Sequence, residues 1–183
     1  MSPLRHSLAT RRGTSGFTLI ELVMVLVLLG ILAVFVLPRI ELTRGFDEVG
    51  YRDAVRATLE FARKSAVAER RNVLVTLTGN NLNLIIANDG PEGADALNFD
   101  IVTNAAKALP LPVPDRHCSA PIPVNRLCAP PNLTLVSTTA DLVFSPLGRP
   151  ITTLGVSLPV TSYTVTGEAP WTITVEAETG HVH

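Results

Sequence analysis

The chain has 183 residues, with 15 basic and 16 acidic side chains and a formal net charge of −1. This length accommodates a membrane segment and one small domain, but not comfortably two domains. The charge balance argues against a generic nucleic-acid-binding protein, which would carry a clear excess of lysine and arginine.

The first sixteen residues are basic, with Arg5, Arg11 and Arg12 and no acidic residue. Without them the chain keeps 12 basic and 16 acidic residues, so the remainder carries a charge near −4. A basic flank before an apolar segment predicts that the N-terminus stays in the cytoplasm and that the rest is exported.

Residues 17–37 form an apolar run in which 16 side chains are Leu, Ile, Val or Phe. As a helix the run would extend over about 31 Å, close to the roughly 30 Å of a bilayer core. Its apolar side chains favour insertion by about 5–10 kcal/mol, whereas Glu21 opposes it by roughly 3 kcal/mol if deeply buried. The run therefore predicts a transmembrane helix; a buried core helix is the alternative.

The flanks of this run argue against an ordinary secretory signal, in which a small-residue cleavage site follows a shorter apolar stretch. Here Pro38-Arg39-Ile40 follows the run, and the cleavage-like pair Ser15-Gly16 precedes it. A protease that cuts after Gly16 would leave the whole apolar helix on the mature protein.

The stretch GFTLIELVMVLVLLGILAVFVLPRI, residues 16–40, resembles the class III signal of type IV pilins and type II secretion pseudopilins. The resemblance implies that a prepilin peptidase cuts between Gly16 and Phe17 and that Phe17 is then N-methylated. It also places Glu21 at the family's glutamate position and Pro38 at its helix-breaking proline.

Glu21 has a physical reading within this resemblance. An ionised carboxylate among apolar groups is costly unless it is paired. The amine of a neighbouring subunit's Phe17 would supply a partner, and the pair would set the axial register between subunits, as one buried polar residue does in a coiled coil. The alternative is a carboxylate that reaches the lipid headgroups.

Residues 38–71 predict an amphipathic helix, because Val55, Leu59, Ala62 and Ala66 recur at three- and four-residue spacing. We expect a long N-terminal helix in two pieces. The first piece lies in the membrane or filament core, and the second packs its apolar stripe onto a globular head. Pro38 removes one helix hydrogen bond and is expected to bend the junction.

A basic cluster lies near the end of this predicted helix and consists of Arg63, Lys64, Arg70 and Arg71. Cations at a helix C-terminus are favourable and usually solvated. The functional alternative is contact with acidic surfaces of neighbouring pilins, or with DNA.

The remaining residues, 72–183, predict a mainly antiparallel β head. Two strand-like segments flank Gly79-Asn80-Asn81, which indicates a hairpin. Turn residues separate further strand predictions, at residues 96–102, 132–138, 141–145, 155–160, 162–166 and 171–177. The fold class is therefore α+β, a long N-terminal helix with a transmembrane first half packed on this head.

Part of the head is similar to a second group of proteins. LVFSPLGRP followed by WTITVEAETGHVH resembles the H-type pseudopilins, which include the FimT- and FimU-like minor pilins. The ending ETGHVH is also similar to minor pilins of mannose-sensitive haemagglutinin pili. Within these stretches we expect Gly148 and Gly180 to be turn glycines.

Cys118 and Cys128 are the only cysteines, and export makes a disulfide between them the favoured state. Closing a loop of about eleven residues would stabilise the fold by roughly 2.8 kcal/mol. Two free buried thiols are the alternative. We predict no metal site, because only His117 lies nearby in the chain, and the terminal pair His181 and His183 is most simply disordered.

Neither a nucleophile elbow, a phosphate-binding loop nor an H-E-x-x-H motif is present in the sequence, so we predict no enzyme and no cofactor. The resemblance instead implies a structural subunit of a filament anchored in the inner membrane, with a cytoplasmic N-terminus and a periplasmic head. The expected partners are other pilins or pseudopilins, the prepilin peptidase, the assembly platform and the membrane. Three uses remain open: assembling or capping a type IV pilus, with the haemagglutinin type included; type II secretion as an H-type pseudopilin; and DNA uptake, which the acidic mature charge disfavours.

Overall fold

A computed structural model describes residues 17–183, with the side chains of residues 34–46 left out of the description. The leader, residues 1–16, therefore lies outside the described residues. The chain divides into two compact units, Met1–Leu42 and Thr43–His183, which are taken separately below.

The single α-helix of the described chain, α1, spans Leu19–Glu69. The helix is continuous through position 38, and the expected division into a membrane or filament part and a head-packing part stays a prediction. Whether Pro38 bends the axis stays a prediction. The helix ends with Arg70 at a positive φ of 54°. The N–H of Arg71 bonds to the carbonyl of Ala66 at 3.1 Å. This is a Schellman ending with arginine at the position that usually holds glycine.

In the second unit the predicted apolar stripe is confirmed. Val55, Leu59, Ala62 and Ala66 are fully buried, and each belongs to the core of the head. The i, i+4, i+7 spacing places them on one side of the helix, which packs against the sheets.

Nine strands follow α1 in chain order: β1 Val73–Thr78, β2 Asn81–Ala87, β3 Ala106–Ala108, β4 Arg126–Leu127, β5 Thr134–Ser137, β6 Asp141–Phe144, β7 Pro150–Ile151, β8 Thr161–Thr166 and β9 Pro170–Val175. They form a six-stranded sheet of order β3-β2-β1-β6-β7, with β4 also paired to β2, and a three-stranded sheet of order β5-β8-β9. Every pairing between these strands is antiparallel. The predicted α+β class is therefore confirmed.

The hairpin between β1 and β2 forms as predicted. Thr78 pairs with Asn81, so the connection has two residues. Gly79 has a positive φ of 60° at the first central position, as type II′ turns require. A tyrosine of α1, Tyr51, donates its hydroxyl to the carbonyl of Asn80 at 3.0 Å and ties the helix to this turn.

Two predicted strands are wrong. Residues 96–102 form turns, because Asp100 accepts a bond from the Val102 N–H at 2.8 Å and the Asn98 amide donates to Asp95 at 3.0 Å. Such local side-chain bonds compete with a strand ladder. Residues 155–160 form a loop in which only Ser157 makes an isolated bridge, to Ile151.

The C-terminal tail adds to the edge of β9 instead of being disordered. Val182 bridges Val175, and Thr174 and His183 exchange two backbone hydrogen bonds of 2.7 and 3.0 Å. The turn before this tail contains Gly180 at a φ of 61°, and Gly148 has a φ of 78°. Both glycines are therefore in turns, as predicted.

One core joins α1 and both sheets of the second unit. Its largest fully buried side chains come from all three parts and include Leu59, Leu84, Phe144, Tyr163 and Ile173. Glu48 is also buried, at 5% exposure, and accepts a hydrogen bond from the Glu168 N–H in the β8–β9 turn. The sequence pattern carried no signal for this buried carboxylate.

Candidate functional site

The N-terminal end of α1 holds the residues assigned to processing and register. Gly16 lies outside the described residues, and Phe17 is 83% exposed. The N–H of Glu21 donates to the Thr18 hydroxyl at 3.3 Å, so Thr18 caps the helix. Glu21 itself is exposed in the first helical turn, where a carboxylate interacts favourably with the helix dipole.

The first unit presents an uncovered apolar surface. Every side chain from residue 17 to residue 33 is exposed, and the large apolar ones are Phe17, Leu19, Ile20, Leu22, Val23, Met24, Val25, Leu26, Val27, Leu28, Leu29, Ile31 and Leu32. An apolar surface of this extent marks a contact with a protein or a membrane.

The membrane-span prediction is a separate matter. Across the described residues, no helix contains an apolar stretch that meets the length and hydropathy expected of a membrane crossing. The predicted span, residues 17–37, ends in a part of α1 whose side chains are not described. The transmembrane assignment therefore stays a prediction.

The four cations of the basic cluster do not form one free surface. Arg63 donates its Nε–H to the Thr179 carbonyl at 2.9 Å. Lys64 pairs with Glu60 at 3.2 Å, and its hydrogen bond lowers the pKa of that exposed carboxyl. Arg70 supplies the helix ending described above, and Arg71 is half-buried. Arg63 is therefore engaged by the head, and Lys64 is paired within its own helix.

The predicted disulfide is confirmed. Cys118 and Cys128 are bonded, with their Cα atoms 5.2 Å apart, and no free cysteine remains. Both residues are buried, at 7% and 8% exposure. The bond closes a loop that contains Pro121 and Pro123.

Asp115 is a residue that sequence reasoning missed. Its Oδ2 accepts the Cys128 N–H at 2.6 Å, and its Oδ1 accepts the His117 N–H at 3.0 Å. The same Oδ1 lies 2.8 Å from the His117 ring Nδ1. Asp115 therefore links the segment that precedes Cys118 to the backbone of Cys128 by a hydrogen bond. Its spacing from the cysteines follows no common motif, so the chain offered little signal.

A groove of about 530 Å³ lies between α1 and the segment that Asp115 fixes. Its walls are mostly apolar, and the lining residues are Ala54, Ala57, Thr58, Phe61, Leu111, Pro112, Val113, Pro114, Asp115, Arg116, His117 and Leu127. Asp115, Arg116 and His117 are its charged or titratable groups. The lining includes none of the four cations of the basic cluster.

The two buried tyrosines of the head have perturbed hydroxyls. Burial raises the pKa of Tyr51, and the negative charge of Asp115 raises it further. Burial also raises the pKa of Tyr163, an effect opposed by the nearby Ser137 hydroxyl. Ser137 makes no hydrogen bond of acceptable geometry to Tyr163, whose hydroxyl has no partner among the described residues. Neither tyrosine lines the groove, so these shifts indicate burial and not chemistry.

Comparison with known families identifies the N-terminal segment. Residues 11–37 match the family described as "Prokaryotic N-terminal methylation motif". The chain therefore carries the N-terminal methylation motif of type IV pilins, which the resemblance of residues 16–40 predicted. The match places Phe17 and Glu21 inside the motif and leaves the β head outside it.

Solved structures with a similar arrangement include the type IV minor pilin FimU of Pseudomonas aeruginosa strain PAO1. It is 13% identical, with 77% of this chain and 90% of that chain covered and a TM-score of 0.47. The minor pseudopilin EpsH of the Vibrio cholerae type 2 secretion system is 10% identical, with 74% and 92% covered and a TM-score of 0.48. Similarity at this level carries no argument about function. No curated protein sequence matches the chain.

Proposed function

We propose that this protein is a structural subunit of a pilin-like filament, a minor pilin or pseudopilin without enzymatic activity. The methylation motif at residues 11–37 carries the proposal. It includes the apolar helical surface that the chain leaves uncovered between residues 17 and 33, and a compact β head follows. A prepilin peptidase would remove residues 1–16 and leave this surface at the new N-terminus.

The proposed location follows from charge and surface. The apolar helix anchors the protein in the inner membrane before assembly, with the basic residues 1–16 in the cytoplasm and the head in the periplasm. The Cys118–Cys128 disulfide is consistent with an exported head. After extraction from the membrane, neighbouring subunits would cover the same apolar surface by close helix packing.

Glu21 is proposed to set the register between subunits. It is exposed in a single chain and lies one helical turn from Phe17, so a neighbour's terminal amine can reach it. Replacing Glu21 with Gln keeps the shape and removes the charge. We expect E21Q to reach the membrane at wild-type levels and to be depleted from sheared filaments, as measured by immunoblot. Equal incorporation of E21Q and wild type would contradict the register role.

Within this class we favour assembly or capping of a type IV pilus, with the haemagglutinin type included. The alternative is an H-type subunit of a type II secretion pseudopilus. Deletion of the gene in its host separates the two. Loss of surface pili with normal exoprotein secretion supports the pilus, and the reverse supports secretion. Normal piliation and normal secretion together would contradict the proposed function.

DNA uptake is the least favoured use, because the head engages part of the cluster that would bind phosphate. Arg63 donates to Thr179 and Lys64 pairs with Glu60. DNA binding would depend on these two residues and on Arg70 and Arg71, and it would weaken steeply with salt. A gel shift at physiological salt that is lost when all four become Glu would establish this use.

A further inference from the structure

The disulfide loop brings metal-binding side chains together in a way that the chain spacing did not indicate. We propose that the reduced form of the Cys118–Cys128 loop binds one Zn²⁺. Its ligands are the two thiolates and the Asp115 carboxylate, with His117 at the fourth position. The disulfide and the metal would then cross-link the same loop, and only one of them can be present at a time. This proposal does not depend on the filament role proposed above.

Three of the four proposed donors lie close together, and the fourth, His117, contacts Asp115. A carboxylate oxygen of Asp115 and the two sulfurs all lie within 4.8 Å of one another. Asp115 Oδ2 is 4.0 Å from Cys118 Sγ, and Asp115 Oδ1 is 2.8 Å from the Nδ1 of His117. Thiolate, imidazole and carboxylate are the donors that zinc takes in proteins, usually four in a tetrahedron.

The change from disulfide to metal site needs only local movement. Zinc–sulfur bonds of about 2.3 Å in a tetrahedron hold two sulfurs roughly 3.8 Å apart. The Cα atoms of Cys118 and Cys128 are 5.2 Å apart, so rotation of the two side chains can open the sulfurs to that separation.

The surroundings also suit a bound ion. The two cysteines and the Asp115 side chain are each no more than 8% exposed, whereas the His117 side chain is 52% exposed and faces solvent. The N–H groups of Cys128 and His117 donate to the carboxylate and orient it, as outer contacts do at metal sites. A cavity of about 350 Å³ lined by His117, Cys118 and Cys128 gives an ion access from solvent.

The redox step balances with an external reductant. A phosphine takes one oxygen from water and becomes a phosphine oxide, while the disulfide gains two electrons and two protons to give two thiols. Zn²⁺ then displaces both thiol protons. A disulfide-class oxidant reverses the sequence, because it takes two electrons from the thiolates, re-forms the Cys118–Cys128 bond and releases the ion.

The test uses the full-length protein in detergent, reduced with a phosphine and titrated with Co²⁺ as a spectroscopic probe for zinc. We expect intense visible bands of a tetrahedral thiolate site at one equivalent, lost when Zn²⁺ is added in excess. The oxidised protein should give none. Circular dichroism of the same samples reports whether the head stays folded.

Variants assign the ligands. Asp115→Asn should weaken Co²⁺ binding by about tenfold or more while circular dichroism stays unchanged. The matched control is the double variant His181→Ala and His183→Ala. It removes the two other histidines of the head and should leave the Co²⁺ titration unaltered. A reduced wild-type protein that shows no tetrahedral bands, folded or not, would overturn the proposal, and so would undiminished affinity in Asp115→Asn.

Discussion

Tyr163 places a hydroxyl in the centre of the head without a hydrogen-bond partner among the described residues. A buried polar group without a partner costs about 1–3 kcal/mol, so its removal can stabilise the fold. We expect Tyr163→Phe to be neutral or to stabilise the head by up to about 1 kcal/mol at neutral pH. Tyr51→Phe is the matched control: it loses the 3.0 Å bond to Asn80 and should destabilise by about 1 kcal/mol.

The same tyrosines predict a pH dependence. Burial raises the pKa of both hydroxyls, so the folded state keeps protons that the unfolded chain releases above about pH 10. Stability from this source is complete below that pH and is lost as the pH rises. Urea unfolding between pH 8 and about pH 11 should show a shallower alkaline loss for Tyr163→Phe than for wild type. Identical slopes would contradict the burial of this hydroxyl.

Gly180 tests the turn that holds the C-terminal tail. Its φ is 61°, and a Cβ there would overlap the Gly148 carbonyl and approach a ring carbon of Phe144 to 3.3 Å. Gly180→Ala should lower the free energy of unfolding by about 1–3 kcal/mol. Gly50→Ala is the control, since Gly50 lies in α1 and a Cβ added there would have no heavy atom within 4 Å. It should stabilise by roughly 0.5–1 kcal/mol; a loss at Gly50 as large as that at Gly180 would contradict both assignments.

At the scale of elements, helices and strands with a strong apolar periodicity could be predicted from the sequence. Turns formed where side chains compete with strand hydrogen bonds could not. The buried positions of α1 and the β1–β2 hairpin follow directly from apolar spacing and from Gly79. Residues 96–102 have strand-like composition, yet their Asp and Asn side chains bond to the nearby backbone and hold turns. The short strands β3, β4 and β7 have two or three residues each, too few for any pattern.

The residues of the candidate site also differ in how far the sequence could predict them. The residues proposed for processing and register belong to one continuous motif, so they could be proposed from the chain alone, and the bond between the two cysteines was predicted in the same way. Asp115 and Glu48 act through partners distant in sequence: Cys128 lies 13 residues away and Glu168 lies 120 away. Contacts of this kind depend on the folded topology and leave no local trace.

The disulfide loop gives a prediction at this scale. Replacing Cys118 and Cys128 with Ser removes the cross-link and should lower the stability of the head by about 2–4 kcal/mol in urea unfolding. Before reduction, both native cysteines should resist alkylation, which mass spectrometry reads directly. Rapid alkylation of the untreated protein would show that the bond is absent. Unchanged stability of the double variant would show that the bond does not stabilise the head.

At the scale of the whole molecule, the two units differ in how far their apolar side chains are buried. The head buries one apolar core shared by helix and sheets, while scattered apolar side chains such as Val102 and Leu154 stay exposed. The first unit exposes its apolar side chains between residues 17 and 33. A chain built in this way needs a second environment for its first unit, and under the proposed function a filament and its membrane supply it.

Mass spectrometry of the mature N-terminus tests this account most directly. The protein would be purified from membranes of its host, beside a Gly16→Val variant in which the side chain should block the peptidase. We predict that the wild-type chain begins at Phe17 and carries one methyl group on its terminal nitrogen, whereas the variant keeps residues 1–16. A mature chain that begins after residue 38, or a wild-type chain that keeps its leader in a host with active peptidase, would contradict the account.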